Sequence, residues 1–487
     1  MTYKNSKPLE GYFTVYMALT MAVMLSLCLV LIEGARSNAV RMEAEIVTDI
    51  ALNSIMAEYH RELLNQYNLF YIDTSYGTAQ PSYHNTEEHL KQYLSKNLTT
   101  SDIFLYQYLY RDFLAMEADS VEITRVMTAT DYDGSVLRSR AAEAIKADIG
   151  IDYLEKIVGW LDTAEGYGLT ERNIQKEKEQ IDSHIQEYDG TEVQISENEW
   201  ETVTVTNPTS DLEANRSIGI LNLVIKDTQT ISKKNVNTES LFGSRKKLDS
   251  INQGNYPVKD EKESLIQRLL FQEYLLRYLG YYGEVKKEGL LEYQIEYLIA
   301  GKDNDIDNLQ SVVYRISALR EVANVVYLLT DEVKCAEAEA LAVLLATAMA
   351  FPQISSLLKT TILLAWAYAE SLYDVKVLLA GGKVPLIKTS ESWHYDIACI
   401  FGSAQEAAVI GSEPGLSYTD YLRILLTASD QVTQTTRFID IVEMDIRKTA
   451  GNGNFRMDGC IDRVESRISI SSKYGYQYEI TREKTYE

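Results

Sequence analysis

Phe13 to Ile32 is a run of 20 residues without one charge, matching the ~20 apolar residues a helix needs to cross hydrocarbon. Past Glu33 the apolar positions thin but stay periodic. Val40, Ala44, Val47, Ala51 and Ile55 recur at helical spacing with Ile46 and Ile50 beside them, the mark of a helix with one buried face. No Gly or Pro interrupts the chain between Ala35 and Leu64. The pattern predicts one helix from about Thr14 to Leu64, ~75 Å long at 1.5 Å per residue. Its first part is a membrane span (13–32) after a short leader (1–12), and its second part (33–64) is an amphipathic continuation.

Farther on, the period alternates between 2 and 3.6. Residues 65–232 read as an α+β part. The β-branched SVEITRVMTAT (120–130) forms a strand, Asp133-Gly134 a turn with a helix from about Ser135, 170–186 a charged helix, and 191–208 strand material ending at Pro208. Residues 233–263 are polar with little period and read as an exposed connection. From 264 to 487 helices dominate. The richest apolar run, Ala336 to Leu379, is broken at Pro352 and interrupted by Lys359, Glu370 and Asp374. It therefore reads as a pair of buried core helices and not as further spans. Gly381-Gly382 stops the second, and the alternating RISISSKYGYQYEITREKTYE at the end reads as a strand or hairpin. The expected fold is mainly α with a smaller α+β part and a single N-terminal transmembrane helix.

The span is too long for a signal-peptide core of ~7–15 residues. The small-x-small site Ser37-Asn38-Ala39 is separated from it by Glu33 and Arg36. A retained anchor is the expectation. Lys4 and Lys7 before the span bias the N-terminus toward the cytoplasm, with the bulk of the chain extracytoplasmic. Within the span Ala18, Ala22 and Ser26 fall at i, i+4, i+8, a small-residue stripe on which helices pack closely in lipid.

Composition narrows the partners. A formal charge of −24 argues against nucleic acid, whose phosphates need a basic surface. The four cysteines, Cys28, Cys335, Cys399 and Cys460, are too far apart for a metal knuckle or a dense disulfide framework. They read as free thiols, with one disulfide among the last three left open.

Candidate chemistry is sparse. Asp303, Asp305 and Asp307 imitate the D-x-D-x-D start of a calcium loop. Asn308 and Tyr314 stand where an EF-hand needs Gly and Glu, so helix capping is the simpler account. Glu370 and Asp374, four apart in an apolar helix, are either a carboxylate pair or the acidic half of a core charge network with Arg315 or Arg320. The five histidines form no HExxH, AGGKVPLIK lacks P-loop spacing, and no G-x-S-x-G occurs. No cofactor is expected, and an enzyme is the least supported class.

Two resemblances supply context. Gly11 followed by YFTV, the apolar helix and its amphipathic continuation resemble the N-termini of pilin-like proteins. They are similar above all to minor, pseudopilin-type components of tight-adherence (Tad/Flp) pili, although Tyr16 stands where type IV pilins carry Glu. The stretches IEGARSNA, EYLIAGKDNDIDN, LLAWAYAESLYDVKVLLAGGKVPLIK and LSYTDYLRILL resemble a family of membrane-anchored proteins of Gram-positive bacteria. That family is classed as a domain of unknown function and associated with Tad-type pilus and secretion genes. What the resemblance implies is an accessory or pseudopilin-like subunit whose partners are the membrane and other pilus or secretion subunits. A membrane-anchored adhesin or ligand-binding module is the alternative.

Overall fold

The computed structural model describes residues 10–77, 79–98, 114–169, 172–196, 199–202, 204–217, 219–225, 227–248, 264–286, 289–401 and 414–486. It is mainly helical, with a smaller α+β part and one long apolar helix at the N-terminus.

That helix, α1, runs unbroken from Glu10 to Met56. It starts inside the stretch expected to be leader and ends eight residues before Leu64. The termination has a local cause. Tyr59 bridges Ile72, and the His60 ring accepts from the Leu63 amide to cap a new helix, α2 (Arg61–Tyr67). The chain therefore turns where periodicity alone continued it.

The α+β part is a helix-on-sheet layer. β1 (Ile72–Asp73), α3 (Tyr83–Leu98) and β2 (Met116–Thr128) come from the N-terminal half. The two remaining strands, β7 (Cys460–Ser472) and β8 (Gln477–Thr485), come from the C-terminus. β7 is central: it pairs antiparallel with β2, β8 and, at its start, β1. The C-terminal hairpin, grouped with 264–487 from sequence, thus belongs to the sheet. Period-2 alternation points Ile468, Ile470 and Val464 of β7, with Ile123, Val126 and Ile480 alongside, onto the stripe Ala44, Val47, Ala51 and Ile55 of α1 and onto Leu90 and Leu94 of α3. The opposite face is wet and lined by charge pairs such as Arg125–Glu465 and Arg463–Glu483, as antiparallel sheets allow. The edge of β2 is blunted by carboxylates: Glu87 accepts from the Ile123 amide and Asp131 from the Thr128 amide.

The larger core is helical. After α4 (Asp131–Lys146), α5 (Ile151–Gly166) and α6 (Ile174–Tyr188) the strand material expected over 191–208 forms a hairpin of β3 (Glu192–Ser196) and β4 (Glu199–Thr202). Then follow α7 (Leu265–Tyr278), α8 (Gln294–Ala300), α9 (Asp305–Thr330), α10 (Glu332–Ala348), α11 (Ser355–Leu379), β5 (Lys383–Val384), β6 (Leu416–Ser417), α12 (Tyr418–Ala428) and α13 (Gln431–Arg447). α11 is buried nearly all round, with Trp366 inaccessible. α10 buries Ala338, Ala342 and Ala346 in the core and packs Leu341 and Leu345 partly against it. Phe351 and Pro352 make the break between these two helices.

The stretch taken for an exposed connection is partly core. Val236, Leu241 and Phe242 are buried in the helical cluster, and residues 249–263 lie outside the described residues.

Candidate functional site

Two constellations stand out. The first lies where α1 leaves its apolar segment. Leu19, Val23, Leu27 and Val30 are each more than half exposed; from Val40 onward one face is buried. Between these regimes the β7–β8 hairpin grips the helix. Tyr476 donates its hydroxyl to the Glu33 carboxylate. The Arg36 guanidinium lies over the Tyr474 ring at 4.1 Å. Tyr478 donates to the Ser37 carbonyl at 3.1 Å and sits 2.9 Å from its hydroxyl. β8 continues the grip upward: Arg482 approaches Glu45 and Asp49 at 3.9 and 3.7 Å, and Tyr486 donates to the Met56 carbonyl at 2.7 Å. Tyr478 and Arg482 of β8 make these contacts because a strand presents every second side chain to one face, and Tyr476 just before the strand and Tyr486 just after it keep the same phase. The tyrosines at 474, 476 and 478 show that period in the sequence, but nothing there names α1 as their partner.

The second constellation is a buried charge cluster between α9 and α11. Arg320, fully buried, donates through Nε to Asp374 at 3.0 Å, through Nη1 to the carbonyls of Pro385 and Leu386 at 2.9 and 2.6 Å and to Tyr421 at 3.1 Å, and through Nη2 to Asn324 at 3.0 Å. Lys388 bridges the two carboxylates, donating to Glu370 and lying 2.6 Å from Asp374. Glu370 also accepts from the backbone amides of His394 and Tyr395. Burial by itself pushes the Glu370 carboxyl up; hydrogen bonding from His394 and the Lys388 charge outweigh it and hold it below the usual range.

Of the residues singled out in sequence, the structure brings together Glu370, Asp374 and Arg320. It does not bring Arg315, whose guanidinium donates to the Ile299 carbonyl. Lys388, the cation that joins the carboxylates, carries no motif that sequence reading could have used. The adjoining void holds only about 10 Å³, too little for a substrate. The cluster's geometry is that of a lock between helices.

The remaining candidates separate. Asp305 is buried and accepts from Ser232 and from the Glu292 and Tyr293 amides. Asp307 sits in the first turn of α9 beside its cap Asn304, and Asp303 lies beside Thr238. Each carboxylate serves a different segment, and the three share no common centre. Among the described residues no group of three or more His, Cys, Asp or Glu is placed to hold a metal. Histidines scatter: His84 meets Glu87 and Glu88, His89 meets Glu58, and His184 is exposed. All four cysteines are free. Ala18, Ala22 and Ser26 are exposed on α1, Ser26 bonding back to the Val23 carbonyl. A cavity of about 390 Å³ beside α9 has the Arg216–Glu321 pair, at 2.5 Å, and Tyr368 in its wall.

Residues 198–472, more than half of the chain, match the model of a family of unknown function, DUF5702. That span covers α7 to α13, the charge cluster and β7. No curated protein and no solved structure matches the chain.

Proposed function

This chain belongs to the DUF5702 family of unknown function, and from that premise we propose that it is a non-enzymatic, membrane-anchored assembly subunit. In this reading the N-terminus is cytoplasmic and the head extracytoplasmic. The protein serves as an accessory or pseudopilin-like component of a Tad-type pilus or secretion machine. One observation carries the reading: α1 passes without a break from an apolar, exposed half to a half packed on the sheet. A soluble protein gains nothing from leaving twenty apolar residues in water, whereas a bilayer covers them. The unbroken helix, gripped from Glu33 to Met56, joins anchor and head in one continuous element. The resemblance of the N-terminus to pilin-like proteins and the stripe Ala18, Ala22, Ser26 support the same reading. So does the outer face of α10, where Val333, Val343 and Leu344 are each at least half exposed.

The test is fractionation followed by cross-linking and purification from gently solubilised membranes. The expected result is a protein that resists alkaline extraction and carries pilus or secretion subunits with it. Release by the alkaline wash would overturn the anchor. Retention without any such subunit would overturn the assembly role.

A further inference from the structure

We propose that the tip of the β7–β8 hairpin, Lys473 to Tyr476, lies in the headgroup layer of the bilayer and binds lipid there. The inference rests on α1 being a membrane anchor and adds which surface of the head meets the membrane. The first charge after the span is Glu33, so the hydrocarbon boundary falls next to it. Glu33, Arg36 and Ser37 are the residues the hairpin holds, through Tyr476, Tyr474 and Tyr478. From Glu33 to Ser37 α1 rises ~6 Å, about the thickness of the polar layer on one side of a bilayer. Three tyrosines are therefore fixed at headgroup depth by the helix they grip.

The tip suits that layer. Lys473 and Tyr474 are exposed, Tyr474 by 44%. An amphipathic ring with a hydroxyl partitions to the interface, and Lys473 supplies a cation for lipid phosphate in a chain otherwise strongly acidic, Arg36 being taken up by Glu33 and the Tyr474 ring. The tip is also stiff. Gly475 takes the left-handed conformation (φ 87°), the Gly475 amide donates to the Ser472 carbonyl at 2.9 Å, and the Ser472 amide donates to the Tyr476 carbonyl at 2.8 Å. The Lys473 amide donates to the Ala115 carbonyl at 3.0 Å, tying the turn to the approach to β2. The tip therefore has little room to fold away from the surface.

The full chain, reconstituted into phosphatidylcholine–phosphatidylglycerol vesicles with brominated or plain acyl chains, tests this. Tyr474→Trp places a reporter at the tip. Glu483→Trp, at the other end of β8 and roughly 20 Å along the strand, is the control. Emission of each added indole is taken as the difference from wild type. The expected result is blue-shifted emission from the Tyr474→Trp variant, quenched more than about twofold by bromine, with the emission added by Glu483→Trp unaffected. Equal behaviour of the two variants in protein that survives alkaline washing overturns the inference while leaving the anchor intact. Protein found in the wash overturns both.

Discussion

Replacing Lys388 by Met removes one charge from a cluster that is buried away from solvent. Lys388 is 1% exposed and joins Glu370, which is fully buried, to Asp374. Methionine keeps much of the stem, so packing changes little. Three charged groups remain, Glu370, Asp374 and Arg320, with a net excess of one negative charge. Removing one partner of a buried pair costs ~3–5 kcal/mol, because the survivor stays desolvated. Lys388→Met is therefore expected to lose that much, and Lys388→Met/Glu370→Gln, neutral again, to lose clearly less than the two single changes summed. Trp393 lies 5.8 Å from the Lys388 ammonium and packs edge-on against Trp366, so intrinsic fluorescence during urea unfolding of the detergent-solubilised chain reads the site directly. The pH dependence supplies a second reading. In wild type Glu370 titrates below its usual range; its contribution is present above the unfolded pKa and is lost as pH falls through the folded one. Without Lys388 the neighbouring carboxylate and burial raise it. Its ionisation then costs stability as pH rises, and the deficit is larger at pH 8 than at pH 5. A loss under ~1 kcal/mol, or a double variant as poor as the sum, would refute the view of the cluster as a closed lock.

Three further outcomes follow from the same structure. Burial raises Glu296 to about 7, against weaker lowering by hydrogen bonds from the Tyr282 amide and Tyr418; its contribution is complete below the unfolded pKa and is lost as pH rises toward the folded one, so Glu296→Gln should flatten the fall in stability between pH ~4.5 and 7 by on the order of 3 kcal/mol in pH-dependent urea titrations. Ile55→Ala, in the α1 stripe and 1% exposed, should cost ~2–5 kcal/mol; hydrogen exchange should show lost protection in α3, β7 and β8 but not in α11. At Gly415 a Cβ would stand 2.4 Å from the Val384 backbone carbon; Gly415→Ala must part β5 from β6 and should lower stability by ~1–3 kcal/mol, seen as a lower thermal midpoint.

Much of the local structure was legible. The break at Pro352, the Asn304 cap of α9, the turn at Asp133-Gly134 and the apolar length of α1 are each caused by residues within a turn or two. Periodicity therefore reported them. Where the cause was distant, reading failed. α1 stops at Met56 because Tyr59 must meet Ile72 and His60 must start α2. Residues 236–242 look polar and aperiodic, yet Leu241 and Phe242 are enough to seat the segment in the core. Glu370 and Asp374 share a helical face by spacing alone, but that Arg320 and not Arg315 answers Asp374 depends on how α9 rotates against α11. Lys388 reaches them only because the chain doubles back after Gly381-Gly382.

The sequence by itself determined a long apolar helix continuing into an amphipathic one, a helix-rich body, and the absence of any familiar catalytic motif. These follow from short-range rules: hydrocarbon thickness, the 3.6-residue period and motif spacing. Tertiary structure alone decided that the last strand pair returns to the first helix, more than 400 residues away, and that its tyrosines grip α1 where the span ends. Pairing across that distance is set by the complementarity of two apolar faces, and neither face carries the address of the other in its own residues.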